Sequence, residues 1–291
     1  MAKRTIQIQA ETRRGLAFVA PGLLVTALII LYPIIYIFYL SMTSSESGVN
    51  EFVGLSNFAD VIQGNHFIQI IKNTIIWTFG TVSIAFILGM ILSLLLNQKF
   101  IKFKGFWTTV LLLSWITPGV VKAIVWKWLY SYDFGMLNHM LLSVGVINEP
   151  VSWLMNSNIA LGSVMLVQIW ETFPFAMLMI YAGLQAIPND LFEVADLEGA
   201  NKIQKFIYVI LPSLKDVTFI SLLILIIWSL NGFVLIWLLT EGGPAGSTQI
   251  LALSIYDDFR SFNITAASAT AILQLGVSLI FATWYIKKLN K

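Results

Sequence analysis

The sequence contains no cysteine, so disulfides and thiolate chemistry are excluded outright. Charge is scarce as well: 17 Lys and Arg and 15 Asp and Glu make up 11% of 291 residues, against about 25% in soluble proteins. A water-facing surface cannot be built from so few charged groups. With a net charge of only +2 and no run of five basic residues, the electrostatic footprint of a nucleic-acid binder is missing too. The two histidines, His66 and His139, are too far apart to suggest a metal site by spacing. No nucleophile motif accompanies them, so neither catalytic nor metal-ligating residues are expected. Evenly spaced alternating strands of about ten residues are also absent, which removes a membrane β-barrel.

What fills the chain instead is apolar: 58% of residues are hydrophobic, and the mean hydropathy is +0.83. Six stretches, 15–42, 73–96, 106–129, 159–184, 217–239 and 264–286, are each long enough to cross a hydrocarbon core of about 30 Å as a helix. The expectation is an all-α integral membrane protein with six transmembrane helices. The first stretch follows Lys3, Arg4, Arg13 and Arg14 like a signal peptide, but it is too long and lacks an A-x-A site, so it reads as an uncleaved span. Lys99, Lys102 and Lys104 follow the second span, Lys202, Lys205 and Lys215 the fourth, and Lys287, Lys288 and Lys291 the sixth. With the four at the N-terminus, thirteen of the 17 basic residues fall on one side. The positive-inside rule then places both termini in the cytoplasm. Residues 1–14 and 287–291 are the expected cytoplasmic ends of one transmembrane domain, 15–286.

The cytoplasmic loop 185–216 is the longest on its side. Pro188 stops the fourth span, and Asp190 followed three residues later by Glu193 reads as an N-cap and capping box opening a short helix from Leu191 to Glu198. Gly199 fits a C-terminal stop with positive φ, and a second helix is expected from Lys202 to Pro212. Within 182–212, Glu193, Ala195, Gly199, Leu211 and Pro212 stand at the positions and spacing of the EAA loop, Glu-Ala-Ala, three residues, Gly, nine residues, Ile-x-Leu-Pro. The chain therefore resembles the binding-protein-dependent ABC importer permeases. Val194 replaces the second-position Ala, Val209 replaces the Ile, and Glu198 stands where sugar-transporting relatives usually have Asp. Tyr32-Pro33, Gly54-Leu55-Ser56-Asn57-Phe58, Asn73-Thr74 and Thr240-Glu241-Gly242-Gly243-Pro244 extend the similarity over most of the chain, toward the carbohydrate branch of six-helix sugar and glycerol-phosphate permeases.

That resemblance implies a multi-pass protein of a bacterial or archaeal cytoplasmic membrane that moves a sugar or sugar-like solute inward by alternating access. Its short loop helix would be a coupling helix seated on an ATPase subunit, with Glu193, Val194, Ala195, Asp196, Gly199, Leu211 and Pro212 forming the coupling element. Implied partners are a second permease chain, similar but not identical, two cytoplasmic ATPase subunits and an extracellular solute-binding protein. The Gly-rich run 242–248 lacks the Gly-Lys pair of a phosphate-binding loop. The chain is therefore expected to be no enzyme and to bind no cofactor, with ATP and Mg at the partner ATPases.

Ionisable groups within spans default to functional candidates. Glu171 falls near the middle of the fourth span and Lys122 in the outer half of the third, where they pair if the helices are suitably rotated. One reading makes this a structural ion pair. Another makes both, with Gln168 and Asn231, hydrogen-bonding partners of a solute in a central cavity, where Trp170 or Trp228 offers a ring face. A different class remains open, an ion-coupled secondary transporter using Glu171 and Lys122. It would be expected to show inverted repeats or midplane helices broken by Gly or Pro, and no such feature stands out in the sequence.

Overall fold

The computed structural model describes residues 2–44 and 51–289; the expected end segments 1–14 and 287–291 lie mostly outside its described side chains. The chain divides into two compact units, residues 1–63 with 258–273, and residues 64–257 with 274–291.

In the first unit, helix α1 (Ala2–Ser41) begins ahead of the apolar stretch and carries Pro21 and Pro33 within it. From Phe18 to Tyr39 nearly every apolar side chain is exposed, a surface suited to lipid or to another chain rather than water. Strands β1 (Thr43–Ser44) and β2 (Glu51–Phe52) pair antiparallel, Thr43 opposite Phe52. The Gly54-to-Phe58 motif has a structural role here. Gly54 turns the chain at φ +60°, and Asn57, in α2 (Ser56–Gln63), donates to the carbonyls of Ser41 and Thr43, both at 2.9 Å, tying α2 to the end of α1.

The second unit is built around α3 (Phe67–Leu96) and α7 (Ala160–Gln185). Both are apolar on almost every face, and a helix in hydrocarbon must satisfy its own backbone. They cross closely at Gly89, where a Cβ would stand 2.7 Å from the Ala176 Cβ and from the Met177 backbone nitrogen. Between them in sequence come α4 (Lys104–Ile116), α5 (Gly119–Leu129) and α6 (Met136–Ser143). After α7 follow α8 (Asn189–Leu197), α9 (Lys202–Lys205), a π segment (Phe206–Ile210), α10 (Leu211–Ser213) and α11 (Lys215–Asn231). The chain ends with α12 (Val234–Thr240), α13 (Leu251–Arg260) and α14 (Ile264–Leu289), which continues from one unit into the other.

Four helical stretches, Phe18–Ser41, Phe67–Leu96, Ala160–Gln185 and Ile264–Thr283, are long and apolar enough to cross a membrane. Two bent pairs bring the number to six if each is one crossing. The first pair corrects an expectation. The stretch 106–129 is not one helix: α4 and α5 meet at 92°. Pro118 has no N–H to continue the ladder, and it forces Thr117 before it into extended backbone, φ −60° and ψ 133°. The Thr117 amide (3.1 Å) and hydroxyl (2.6 Å) both donate to the Leu113 carbonyl and close α4. A Pro-broken helix is thus present where none was expected. The stretch 217–239 is divided too: α11 ends at Asn231, Gly232 turns, and α12 starts at Val234.

Candidate functional site

The break between α4 and α5 opens onto a cavity of about 440 Å³, whose wall includes Trp115, Gly119, Gln168, Glu171, Trp228 and Asn231. Four of the six residues nominated as solute contacts therefore share one wall. A fifth, Lys122, stands behind it: its ammonium forms an ion pair with Glu171 Oε1, with the lysine side chain 2% exposed and the glutamate 23%. The sixth, Trp170, does not line this cavity; its ring packs edge-on against Trp126, with centroids 5.6 Å apart.

Trp115, not singled out in the sequence, takes the place that Trp170 vacates. It stacks on Trp228 at 6.3 Å and 27°, and Phe175 closes on Trp228 at 4.6 Å. Its position two residues before Thr117-Pro118 was the available signal, since a broken helix exposes the residues beside its break. Gln168 is 8% exposed, and its carboxamide has no hydrogen-bond partner among the described residues, which leaves a donor and an acceptor directed at the cavity. Asn231 accepts from Gln274 (3.2 Å) and donates to the Ile227 carbonyl (2.7 Å). The wall combines indole faces, two carboxamides and one carboxylate, a set that binds hydroxyl-rich molecules through ring contacts and hydrogen bonds.

The second element is the elbow that follows α7. Its first helix is not opened by Asp190 and Glu193 as expected. Pro188 is the N-cap residue, with ψ 137°, no side chain caps the end, and Asp190 lies within the first turn. Proline supplies the extended residue before the helix, so the start falls two residues earlier, at Asn189, and the Asp190 charge complements the helix dipole. A capping box does occur, at the next helix: the Asn201 side chain accepts from the Gln204 amide (2.9 Å), and Gln204 reaches back to the Asn201 amide (2.8 Å).

Between these helices Gly199 has φ +74°. Its amide bonds the Asp196 carbonyl at 3.1 Å, and the Ala200 amide bonds the Ala195 carbonyl at 2.9 Å, the two bonds of a Schellman stop. An ion pair from Lys205 to Asp196 spans the corner. Phe192 and Ala195, three apart on one helix face, are half-buried, and Phe192 packs on a cluster with Ile187, Leu184, Met90 and Leu214. On the other face Leu191, Glu193, Val194, Leu197 and Glu198 are exposed. Leu211 and Pro212 are exposed just beyond the π segment. The elbow is a braced corner pinned by Phe192 and, from the π segment, Phe206, and presents apolar and acidic groups outward.

The other recurrent motifs meet at the opposite ends of α3 and α12. Asn73 donates to the carbonyls of Gly246 and Gln249, both at 3.0 Å, and the Thr74 hydroxyl accepts from the Leu251 amide at 3.0 Å. Thr240 and Thr248 join through their hydroxyls at 2.8 Å and fold the 240–248 run into a loop. Beside it lies a second cavity of about 520 Å³, lined in part by Tyr130, Tyr132, Trp153 and Glu241. Burial pushes the Tyr130 phenol up, and its hydroxyl donates to the Ser163 carbonyl at 2.8 Å.

Residues 85–291 match the family of binding-protein-dependent transport system inner membrane components. The trehalose/maltose transport system permease protein MalF of Thermococcus litoralis is 33% identical over 279 residues, covering 95% of this chain and 94% of that one. Among solved structures, a bacterial ABC transporter involved in the import of the acidic polysaccharide alginate superposes with TM-score 0.80 at 22% identity, covering 97% of this chain and 98% of that one. A bacterial alginate ABC transporter in complex with an alginate pentasaccharide-bound periplasmic protein superposes with TM-score 0.79 at 22% identity, over 95% and 94% of the two chains. At that identity the likeness is one of fold.

Proposed function

We propose that this chain, which belongs to the family of binding-protein-dependent transport system inner membrane components, is a permease subunit of an ATP-driven importer for a sugar or sugar-like solute. It is not itself an enzyme. The observation that carries the reading is the elbow: two helices locked by a Schellman stop, a capping box and a corner ion pair, held by Phe192 and offering Leu191, Val194 and Leu197 to a partner. A rigid exposed corner transmits force where a slack loop would not. Seated on a cytoplasmic ATPase subunit, it would carry closure of two ATPases, with their ATP and Mg, into α7 and α11 and rock the spans between inward-open and outward-open states.

The basic residues near the elbow and at both ends support a cytoplasmic position for these segments by the positive-inside rule. The cavity beside Trp115 and Trp228 is the solute site in this reading, reached from an extracellular binding protein at the end of the unit that carries the 240–248 loop. The exposed apolar face of α1 fits lipid together with a second permease chain, similar but not identical. Trehalose/maltose transport by the Thermococcus litoralis relative supports the carbohydrate class. The Pro118 break is a feature the ion-coupled alternative would also show, but Lys122 is covered and already paired, and the family match supports the ATP-driven reading.

The test is uptake into cells and proteoliposomes by the assembled importer. ATP depletion should abolish uptake and an uncoupler should spare it; the reverse pattern would sink the reading.

A further inference from the structure

The cavity at the α4–α5 break carries ionic charge of one sign on its wall. Its one ionised wall group among the described residues is the Glu171 carboxylate. Lys122 is 2% exposed and already gives its ammonium to that carboxylate, whereas Glu171 keeps 23% of its side chain open. A solute in the cavity therefore meets an anionic acceptor, and the cation stands behind it. To be neutralised by Lys122, an anionic sugar would have to draw it out of the pair and leave a carboxylate uncompensated beside it, which is unfavourable. The N-terminus of α5, at Gly119 on the wall, offers only about half a positive charge, and its N–H groups serve a hydroxyl as well as a carboxylate.

A neutral polyol faces no such conflict. Its hydroxyls donate to the free Glu171 oxygen and exchange hydrogen bonds with the unpartnered Gln168 carboxamide, while a ring face lies on Trp228, which is 38% exposed. We infer that the solute of this cavity is an uncharged saccharide or polyol. Glu171, with Lys122 held behind it, is the specificity-determining group that turns away uronates, sulfonates and phosphorylated sugars. This inference rests on the cavity being the solute site proposed above, and it separates this chain from the alginate importer that shares its fold.

The full chain in lipid nanodiscs is titrated with maltose, trehalose and galactobiose and with their C6-oxidised uronates. The readout is tryptophan emission, to which Trp115 and Trp228 in the wall contribute. At least one neutral disaccharide should shift the emission, and its uronate should need more than tenfold higher concentration. Asn231→Lys adds a cation to the wall without touching the ion pair and should narrow that gap by at least tenfold. Glu171→Gln, where it folds, should narrow it too by freeing Lys122. A uronate as effective as its neutral parent in the native chain overturns the inference while leaving the solute site standing. Silence toward every sugar, in the native chain and in Asn231→Lys, removes the solute site and the inference with it.

Discussion

Lys122 on α5 and Glu171 on α7 form an ion pair that joins the short helix after the Pro118 break to the central helix of the unit, with the lysine almost wholly covered. The partners are 49 residues apart in sequence.

Removing one partner strands the other. Lys122→Met should destabilise the protein by about 3–5 kcal/mol, whereas Lys122→Met combined with Glu171→Met should recover most of that loss, since a buried pair is often replaceable by apolar groups of similar volume. Thermal unfolding of the detergent-purified protein provides the comparison; a single variant as stable as the native chain would show that the pair does not hold α5.

Gly199 is needed for its backbone, not for space, since a Cβ there meets nothing within 4 Å. At φ +74° an ordinary L-residue costs roughly 1–2 kcal/mol, and a β-branched one more. Gly199→Val should lose ATP-driven uptake and ATPase co-purification at normal membrane insertion, while Gly199→Asn, which tolerates this conformation, keeps much of both. Equal transport by all three would remove the elbow from the coupling path.

Gly89 is the opposite case, a position with no room. An added side chain must displace the Ala176 Cβ and the α7 backbone at Met177, and overpacking of this kind costs typically about 1–3 kcal/mol. Gly89→Leu should therefore lower the unfolding temperature or abolish folded yield, read by size-exclusion chromatography in detergent. A native elution profile and midpoint would show that α3 and α7 separate easily.

Asn73→Ala should loosen the 240–250 loop and leave the rest intact. It deprives the Gly246 and Gln249 carbonyls of their donor, a loss of roughly 1–3 kcal/mol where no water replaces it. Hydrogen exchange should quicken across 242–251; unchanged protection there would mean that the loop is held by its own threonine bonds.

The sequence marks some of this architecture plainly and hides the rest for physical reasons. The elbow's glycine stop was legible because positive φ has a residue signature, and the Lys122–Glu171 contact was legible because ionisable groups in apolar spans stand out. The bend at Thr117-Pro118 was obscured because a helix in lipid is apolar on every face, so breaking it changes no hydropathy pattern; only the proline recorded it. Trp115 carries no mark of its own in the sequence for the same reason. Trp170 adjoins Glu171 in sequence, but neighbours on a helix point about 100° apart, and it packs on Trp126 instead. The start of α8 was misplaced where two start signals, Pro188 and Asp190, overlap.

Helix α3 has a mechanical consequence. It runs unbroken for 30 residues without proline, and the 16 positions from Asn73 to Gly89 span about 24 Å at 1.5 Å per residue. At one end Asn73 and Thr74 grip the 240–251 segment; at the other Gly89 is wedged against α7, and Met90 enters the cluster that seats Phe192. Such a helix works as a connecting rod. Any displacement of the Phe192 seat arrives at the far loop undiminished in length, with no hinge along the way to absorb it.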